Sequence, residues 1–329
     1  EWIQSFGDDG AWHESQLAEG HLPDRHSLDR AVPEHPVFLF RGPDTVVLNT
    51  LAIQALCDQL AAGAVTDWDA DDGILCHPQA KFLQRSLPRP SRARTLELLR
   101  AASRSLLRMG ITGGVDPGLP ATFDDSWRLY GDARREGHLL QRIYLMNRFD
   151  YRRTFEDEMA RLQGGPTSPL DGDDFLRAWA VKLLLDGEFA DAWMRPGEPA
   201  AGPATRRYSA SQVDAVLSLC SRRGWPLCFH TLGGGAIDFM IERVKNVCRQ
   251  GLQFSPAQIS LAHAFFPSQE NVVDCRALGV ALAVQPLLMY VFEREMAAAW
   301  GAFTQQATPL ATMLAAGVLA AGGSDVLPC

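Results

Sequence analysis

Residues 209–265 carry the pattern that decides the fold. SASQVDAVLSLCSRRG (209–224) precedes PLCFHTLG (226–233), and GAIDFMIERVKNVCRQG (235–251) precedes QISLAHAF (258–265). The first and third segments read as helices, whereas the other two are short apolar runs typical of strands buried on both faces. Helices that alternate with such strands predict a parallel sheet with helices packed against it.

The same alternation begins at about Thr95, where TLELLRAASRSLLRMG places Leu and Ala at helical spacing and closes with Gly110. No GxGxxG motif opens a helix after the first of these strands, and polar residues end several different strands, which favours a barrel over a doubly wound sheet. We therefore predict that residues 95–329 form strands 2–8 of a (β/α)8 TIM-type barrel. The seven strand candidates are ITGGVDPG (111–118), QRIYLMN (141–147), WAVKLLLDG (179–187), PLCFHTLG (226–233), QISLAHAF (258–265), ALAVQPLL (281–288) and LAAGGSDV (319–326).

Residues 1–94 are less regular and rich in turn signals. They contain a helix candidate, NTLAIQALCDQLAAG (49–63), and an acidic, hairpin-like stretch, TDWDADDGIL (66–75). We expect this region to be an insertion between strands 1 and 2 of the barrel that forms a lid over the site.

Composition and charge limit the class of partner. The chain of 329 residues is 47% hydrophobic and 21% charged, enough to bury a large core, and its net charge of −8 argues against a nucleic-acid or anionic membrane surface. No apolar run approaches the roughly 20 residues of a membrane span. Seven cysteines without a CxxC pair indicate a reducing compartment. We therefore expect a cytoplasmic protein that acts on a small molecule, and a homodimer is compatible with this interpretation.

Four polar side chains, Lys182, His230, His263 and Asp325, each lie at or near the end of a separate apolar run. Imidazole and carboxylate groups are ordinary ligands of zinc and similar divalent ions, so the set predicts a centre with one or two metal ions. Each residue also has a simpler explanation: a salt bridge from Lys182 to Asp186 or another carboxylate, histidines satisfied in the core, and a helix N-cap at Asp325. A Schiff-base lysine at position 182 is a further alternative.

Five segments carry a resemblance to a known family: GITGGVDPG, VKLLLDGEF, FHTLGGGAID, SLAHAFFPSQENVVDCRALGVALAVQP and GGSDVLP. They resemble the amidohydrolase superfamily, and more closely amidohydrolase family 3, the group that includes N-substituted formamide deformylases. The resemblance implies a carboxylated Lys182 that bridges two metal ions, with His230 and His263 as ligands on strands 5 and 6. Asp325 on strand 8 would contact the metal, take a proton from the attacking water and deliver it to the leaving nitrogen, which is hydrolysis of an amide or related C–N bond.

The chain also departs from the family pattern. No His-x-His pair occurs in the 329 residues, so we expect strand 1, which carries that pair, and the terminal β-sandwich to lie outside this chain. Gly234 stands where the family has an aspartate, and Ala262 where it has a glutamate. An amidohydrolase-like barrel that binds a ligand without turning it over, and a Schiff-base lyase that uses Lys182, therefore remain as alternatives.

Three further residues are candidates for substrate contact. Trp193 and Arg195 lie in the loop after strand 4, from which barrel enzymes contact substrates, and Gln285 ends strand 7. Each also has a structural alternative, as a loop anchor or a strand terminator.

Overall fold

The structure is a computed structural model that describes residues 2–4, 21, 23–40, 45–56, 68–69, 71–76, 87–118, 122–150, 153–165 and 167–325. Its contacts divide the chain into two compact units. The first comprises Glu1–Pro90, Leu287–Phe292 and Ser324–Cys329, and the second comprises Ser91–Pro286 and Glu293–Gly323. The domain boundary at residue 94 and the role of residues 1–94 as an insertion and lid stay predictions.

The first unit contains a five-stranded mixed sheet in the order β1-β2-β3-β5-β4. The predicted hairpin at 66–75 is present as the antiparallel pair β4 and β5. The predicted helix at 49–63 begins as expected, and its residues 57–63 lie outside the described residues. The elements of this unit are β1 (Ile3–Gln4), α1 (Arg25–Ala31), β2 (Val37–Phe40), β3 (Thr45–Leu48), α2 (Thr50–Ala55), β4 (Trp68–Asp69) and β5 (Ile74–Cys76).

The second unit is built on a seven-stranded parallel sheet whose spatial order, β12-β11-β10-β9-β8-β7-β6, follows the chain without reversal. A doubly wound sheet reverses its strand order at a switch point, whereas a barrel wall does not, so this order confirms the barrel-type prediction. All seven predicted strands are present, while the eighth, strand 1, stays a prediction. They are β6 (Gly113–Asp116), β7 (Arg142–Arg148), β8 (Leu176–Leu184), β9 (Leu227–Thr231), β10 (Ile259–His263), β11 (Ala281–Val284) and β12 (Ala320–Gly322).

Helices connect these strands, and local sequence sets their ends. Ser209 and Ser268 cap the helices that precede β9 and β11 by accepting from Gln212 N and Asn271 N. No helix in the described part of the chain combines the length and apolarity that a membrane crossing requires. The helices are α3 (Arg92–Arg108), α4 (Phe123–Arg135), α5 (Phe155–Gly164), α6 (Ala210–Arg223), α7 (Gly234–Arg249), α8 (Gln269–Leu278), α9 (Pro286–Val291), α10 (Glu293–Trp300) and α11 (Leu310–Ala315).

The two faces of the sheet bury different side chains. Leu183 and Phe229 belong to the large apolar core that also contains residues of α6, α7 and α8. On the other face, Met146, Cys228 and Ala262 share a small cluster. Because side chains alternate along a strand, residues two positions apart share a face, and His230 therefore faces the same side as Cys228.

Candidate metal centre

Three of the predicted ligands come together on neighbouring strands of the second unit. Lys182 on β8, His230 on β9 and His263 at the end of β10 expose only 8%, 6% and 6% of their surface. The two imidazole rings meet edge to face, with centroids 4.6 Å apart and an interplanar angle of 73°. Lys182 Nζ donates to Cys228 Sγ at 3.5 Å, and Cys228 is its register partner on β9.

A backbone carbonyl determines which nitrogen of His230 carries the proton. His230 Nε2 lies 3.1 Å from the carbonyl oxygen of Gly187, which can only accept, so Nε2 donates. In the neutral ring the lone pair is then on Nδ1, the atom left to act as a metal ligand. The carboxylate of Asp186 is 3.8 Å from the same Nε2.

Asp186 is fully buried and holds the turn beyond β9. Its carboxylate accepts from Trp193 N at 3.1 Å, Leu232 N at 3.0 Å and Gly233 N at 2.8 Å. Burial raises the pKa of this carboxyl, while His230 and the three N–H groups act in the opposite direction. The carboxylate therefore joins the loop after β8 to the segment that follows His230.

The sequence allows a salt bridge between Lys182 and Asp186, but the structure places other groups around both side chains. Asp186 lies beyond the end of β8, and its carboxylate oxygens accept from backbone N–H groups of Trp193, Leu232 and Gly233. Among the described residues, Lys182 forms no ion pair, and its amino group contacts the Cys228 thiol instead. A buried ammonium without a carboxylate is penalised. Carboxylation of Lys182 stays a prediction.

Burial keeps His263 neutral. Loss of solvent lowers the pKa of this imidazole well below its usual range, and the nearby His230 and Lys182 lower it further. Its backbone is unusual as well, because His263 and the next residue, Ala264, both have positive φ, at 71° and 44°. Non-glycine residues in this region are strained and persist when the surroundings hold them, a situation that is frequent at functional sites.

The remaining predicted residues lie as follows. Gln285 is buried, and its Oε1 accepts from His263 N at 3.1 Å. The ring of Trp193 packs against Phe239, with centroids 5.0 Å apart. The guanidinium of Arg195 is bonded to surrounding protein groups. Substrate contact by Trp193, Arg195 and Gln285 stays a prediction.

Asp325 follows β12 by three residues, is exposed and has φ 63°. The contacts of the chain assign it to the first unit. Its role as metal ligand and proton carrier stays a prediction.

An aromatic cluster follows His263 in the chain. Phe265 stacks on Phe189 of the loop after β8, with centroids 6.4 Å apart. Trp300 meets Phe266 edge to face at 4.9 Å and Phe265 at 5.9 Å. The segment immediately after His263 is therefore packed in apolar surroundings, which limits the access of water to the backbone there.

A cavity of about 430 Å³ lies apart from the histidines. It is lined by residues that follow β7 and precede α6, among them Phe149, Arg153, Arg207 and Tyr208. None of the predicted ligands lines this cavity. This cavity is therefore separate from the predicted ligands.

The donor set fits a divalent metal, although the described residues contain no group of three His, Cys, Asp or Glu side chains arranged to hold one. His263 is neutral and His230 has its lone pair on a defined atom, which is the state in which imidazole binds a metal. Lys182 lies on the adjoining strand, in register with Cys228, and would act as a ligand once it is carboxylated. Two histidines and one modified lysine are compatible with a site that leaves positions open.

Sequence reasoning missed Cys228 as a neighbour of this site, and it missed the backbone bonds that Asp186 accepts. Cys228 precedes His230 by two residues, and the period of a strand could have placed both on one face. The three backbone bonds of Asp186 had no comparable signal, because they depend on the path of the loop to Trp193.

Comparison with known proteins shows to which family the chain belongs. The model of the amidohydrolase family matches residues 7–329, and the chain belongs to this family. The N-substituted formamide deformylase of Arthrobacter pascens is 25% identical over 353 residues, covering 100% of this chain and 62% of that protein. The chain thus spans about three fifths of the length of the curated relatives it matches.

Solved structures support the fold. An uncharacterized metal-dependent hydrolase from Pyrococcus furiosus superimposes with a TM-score of 0.70 at 19% identity, over 98% of this chain and 64% of that one. A second such hydrolase, from Pyrococcus horikoshii OT3, gives a TM-score of 0.68 at 18% identity, over 98% and 61% of the two chains. At these identities the likeness concerns the fold alone.

Proposed function

We propose that this chain is part of a metal-dependent hydrolase that cleaves an amide or related C–N bond of a small molecule. The observation that carries the proposal is the contact between the two buried imidazoles of His230 and His263, 4.6 Å apart at the ends of adjacent strands. Family membership supports the same class of reaction. Zinc is the ion we expect, because two neutral imidazoles and a lysine carbamate are donors that suit it.

Each residue has a distinct part in the proposed site. His230 and His263 would hold the ion, and Lys182 would bridge a second ion as its carbamate. A divalent ion supplies positive charge that polarises a carbonyl and makes water more acidic. Asp325 would accept a proton from the attacking water and return it to the leaving nitrogen, a role supported by its place just beyond the last strand.

The proposal extends to the surroundings of the protein. The seven cysteines without a CxxC pair support a cytoplasmic location, and the described free thiols include Cys220, Cys228 and Cys275. The net charge of −8 supports a small-molecule substrate and not a nucleic acid. A homodimer stays a prediction.

Metal analysis combined with hydrolysis assays tests the proposal. The purified chain, stripped by a chelator and titrated with zinc, is assayed on a panel of amides that begins with N-substituted formamides, the compounds named in the A. pascens relative. We expect zinc-dependent hydrolysis that falls by about 10²-fold or more in Asp325→Asn. In His263→Gln, zinc binding itself should weaken.

Other outcomes identify the alternatives. Zinc binding without hydrolysis of any amide would favour a ligand-binding barrel. Hydrolysis that persists in chelator would overturn the metal-dependent mechanism. Borohydride trapping of a carbonyl compound on Lys182 would favour a Schiff-base lyase.

A further inference from the structure

The guanidinium of Arg195 is fully occupied by protein acceptors. Nε and Nη2 donate to the two carboxylate oxygens of Asp238 at 2.7 and 2.9 Å. Nη1 donates to Glu198 Oε1 at 3.0 Å and to the carbonyl oxygen of Phe266 at 2.9 Å, and Nη2 also donates to Asn271 Oδ1 at 2.7 Å. Five N–H groups thus meet five acceptors, which joins the loop after β8 to α7, to α8 and to the segment after β10.

Glycines at the start of α7 make room for this arrangement. A Cβ at Gly234 would lie 2.2 Å from Arg195 Nη1, and one at Gly233 would lie 2.1 Å from the carbonyl oxygen of Trp193. The first contact is with the end of a flexible side chain, and the second is with backbone. A methyl group at position 234 would therefore displace the guanidinium, while the path of the loop could remain.

The acceptor on Phe266 connects Arg195 to the strained end of β10. Phe266 follows His263 by three residues, and both His263 and Ala264 have positive φ. The near side of this turn is held by Ala264 N, which donates to Thr231 O at 2.9 Å. Strained residues relax to ordinary backbone conformations when the contacts that hold them are removed. The hydrogen bond from Arg195 to the carbonyl oxygen of Phe266 therefore helps to fix the orientation of the His263 imidazole.

We propose that Arg195 is a positioning residue of the candidate metal centre, which holds the turn after His263 so that this imidazole stays against His230. The inference rests on the proposed function, because it concerns the same two ligands. It differs from the substrate contact that the sequence suggested, since here the guanidinium acts through the backbone of Phe266. The same loop supports the other ligand through Asp186, which binds the backbone beyond His230.

Two variants remove the bond in different ways, and a third is the matched control. Arg195→Met deletes the guanidinium, and Gly234→Ala displaces it while leaving it present. The control is Arg243→Met, because the Arg243 side chain on α7 is 19% exposed, similar to 21% for Arg195, and bonds Asp214 on α6 at 3.3 Å. Arg243 lies on α7, the helix that carries Asp238, and within the described part of the chain it has no bond to the segment after His263.

Zinc affinity and histidine resonances are measured on the chain and its three variants. Affinity is obtained by competition with a chromophoric chelator, and the imidazole resonances of the metal-free protein are assigned with His230→Gln and His263→Gln. We expect Arg195→Met and Gly234→Ala to weaken zinc binding by about 10- to 100-fold and to move the His263 resonances. The control should change zinc affinity by less than about twofold.

Urea unfolding separates a positioning role from a purely structural one. If Arg195→Met lowers stability as the control does but leaves zinc affinity and the His263 resonances unchanged, the inference is wrong. If the unaltered chain binds no zinc, the proposed function fails, and the resonances of the metal-free protein decide the inference alone. Resonances that move in Arg195→Met and Gly234→Ala, but not in the control, then support it, and unmoved resonances overturn it.

Discussion

Replacing Asp186 with alanine should destabilise the second unit more than replacing an exposed aspartate does. Asp186→Ala removes the acceptors of three N–H groups, those of Leu232 and Gly233, which are buried, and that of Trp193, which is half-buried. An unsatisfied buried donor costs about 1–3 kcal/mol, so the two buried donors together correspond to about 2–6 kcal/mol, and the third adds less. Water that enters the vacated space offsets part of this cost. Removal of the buried carboxylate offsets a further part, because burial of the charged group is unfavourable and raises the pKa of Asp186. We therefore expect a loss near the lower end, about 3 kcal/mol.

The assay is urea unfolding of the metal-free protein at pH 7, followed by far-UV circular dichroism and tryptophan fluorescence. Asp186→Asn keeps one carbonyl oxygen as an acceptor and should lose about 1–2 kcal/mol. The control is Asp174→Ala, whose side chain is 91% exposed and which should stay within about 0.5 kcal/mol of the unaltered protein. A loss below about 1 kcal/mol in Asp186→Ala, with an unchanged m value, would refute the claim that this carboxylate holds the two loops.

Three further expectations follow from single residues. Burial raises the pKa of the Cys220 and Cys275 thiols to about 12, so at pH 8 both should resist iodoacetamide in the native protein and react after denaturation, as peptide mass spectrometry can show. Trp225 is fully buried and its indole N–H has no acceptor among the described residues, so Trp225→Ala should cost about 3–5 kcal/mol and Trp225→Phe clearly less, measured by urea unfolding. Gly224 is the C-cap of α6, with φ 72°, and Gly164 is the last residue of α5; neither has a neighbour within 4 Å of an added Cβ. Alanine should therefore destabilise the protein by about 1 kcal/mol at position 224 and stabilise it by up to about 1 kcal/mol at position 164. Equal melting shifts for the two alanine variants would contradict this reasoning.

Much of the second unit follows from local sequence. The runs around Lys182, His230 and His263 are apolar on both sides, so their assignment as buried parallel strands needed no knowledge of distant residues. The positions of the polar side chains at strand ends then predicted that they meet, and the structure brings these three together. The consecutive strand order was also predictable, because a reversal would have required the features of a doubly wound sheet.

Other parts depend on contacts that sequence periodicity does not encode. The strands Val37–Phe40 and Thr45–Leu48 were not assigned, because turn-forming residues surround them in the sequence and they pair with each other. The helices Pro286–Val291 and Glu293–Trp300 after β11 were missed as well. The hydrogen bonds from Arg195 to Asp238 and Phe266 join segments more than 40 residues apart in the sequence, so no local sequence pattern predicts them.

The alternation of faces along β9 has a consequence for how this site can change during evolution. Phe229 packs toward the helices while Cys228 and His230 face the opposite side, so the loss of a single residue between Leu227 and His230 would turn the imidazole into the apolar layer. Substitutions within the strands keep this phase, and length changes in the connecting loops leave it untouched. Related sequences should therefore vary freely in loop length while conserving the number of residues within each strand, a pattern that an alignment of homologues would reveal as gap-free blocks.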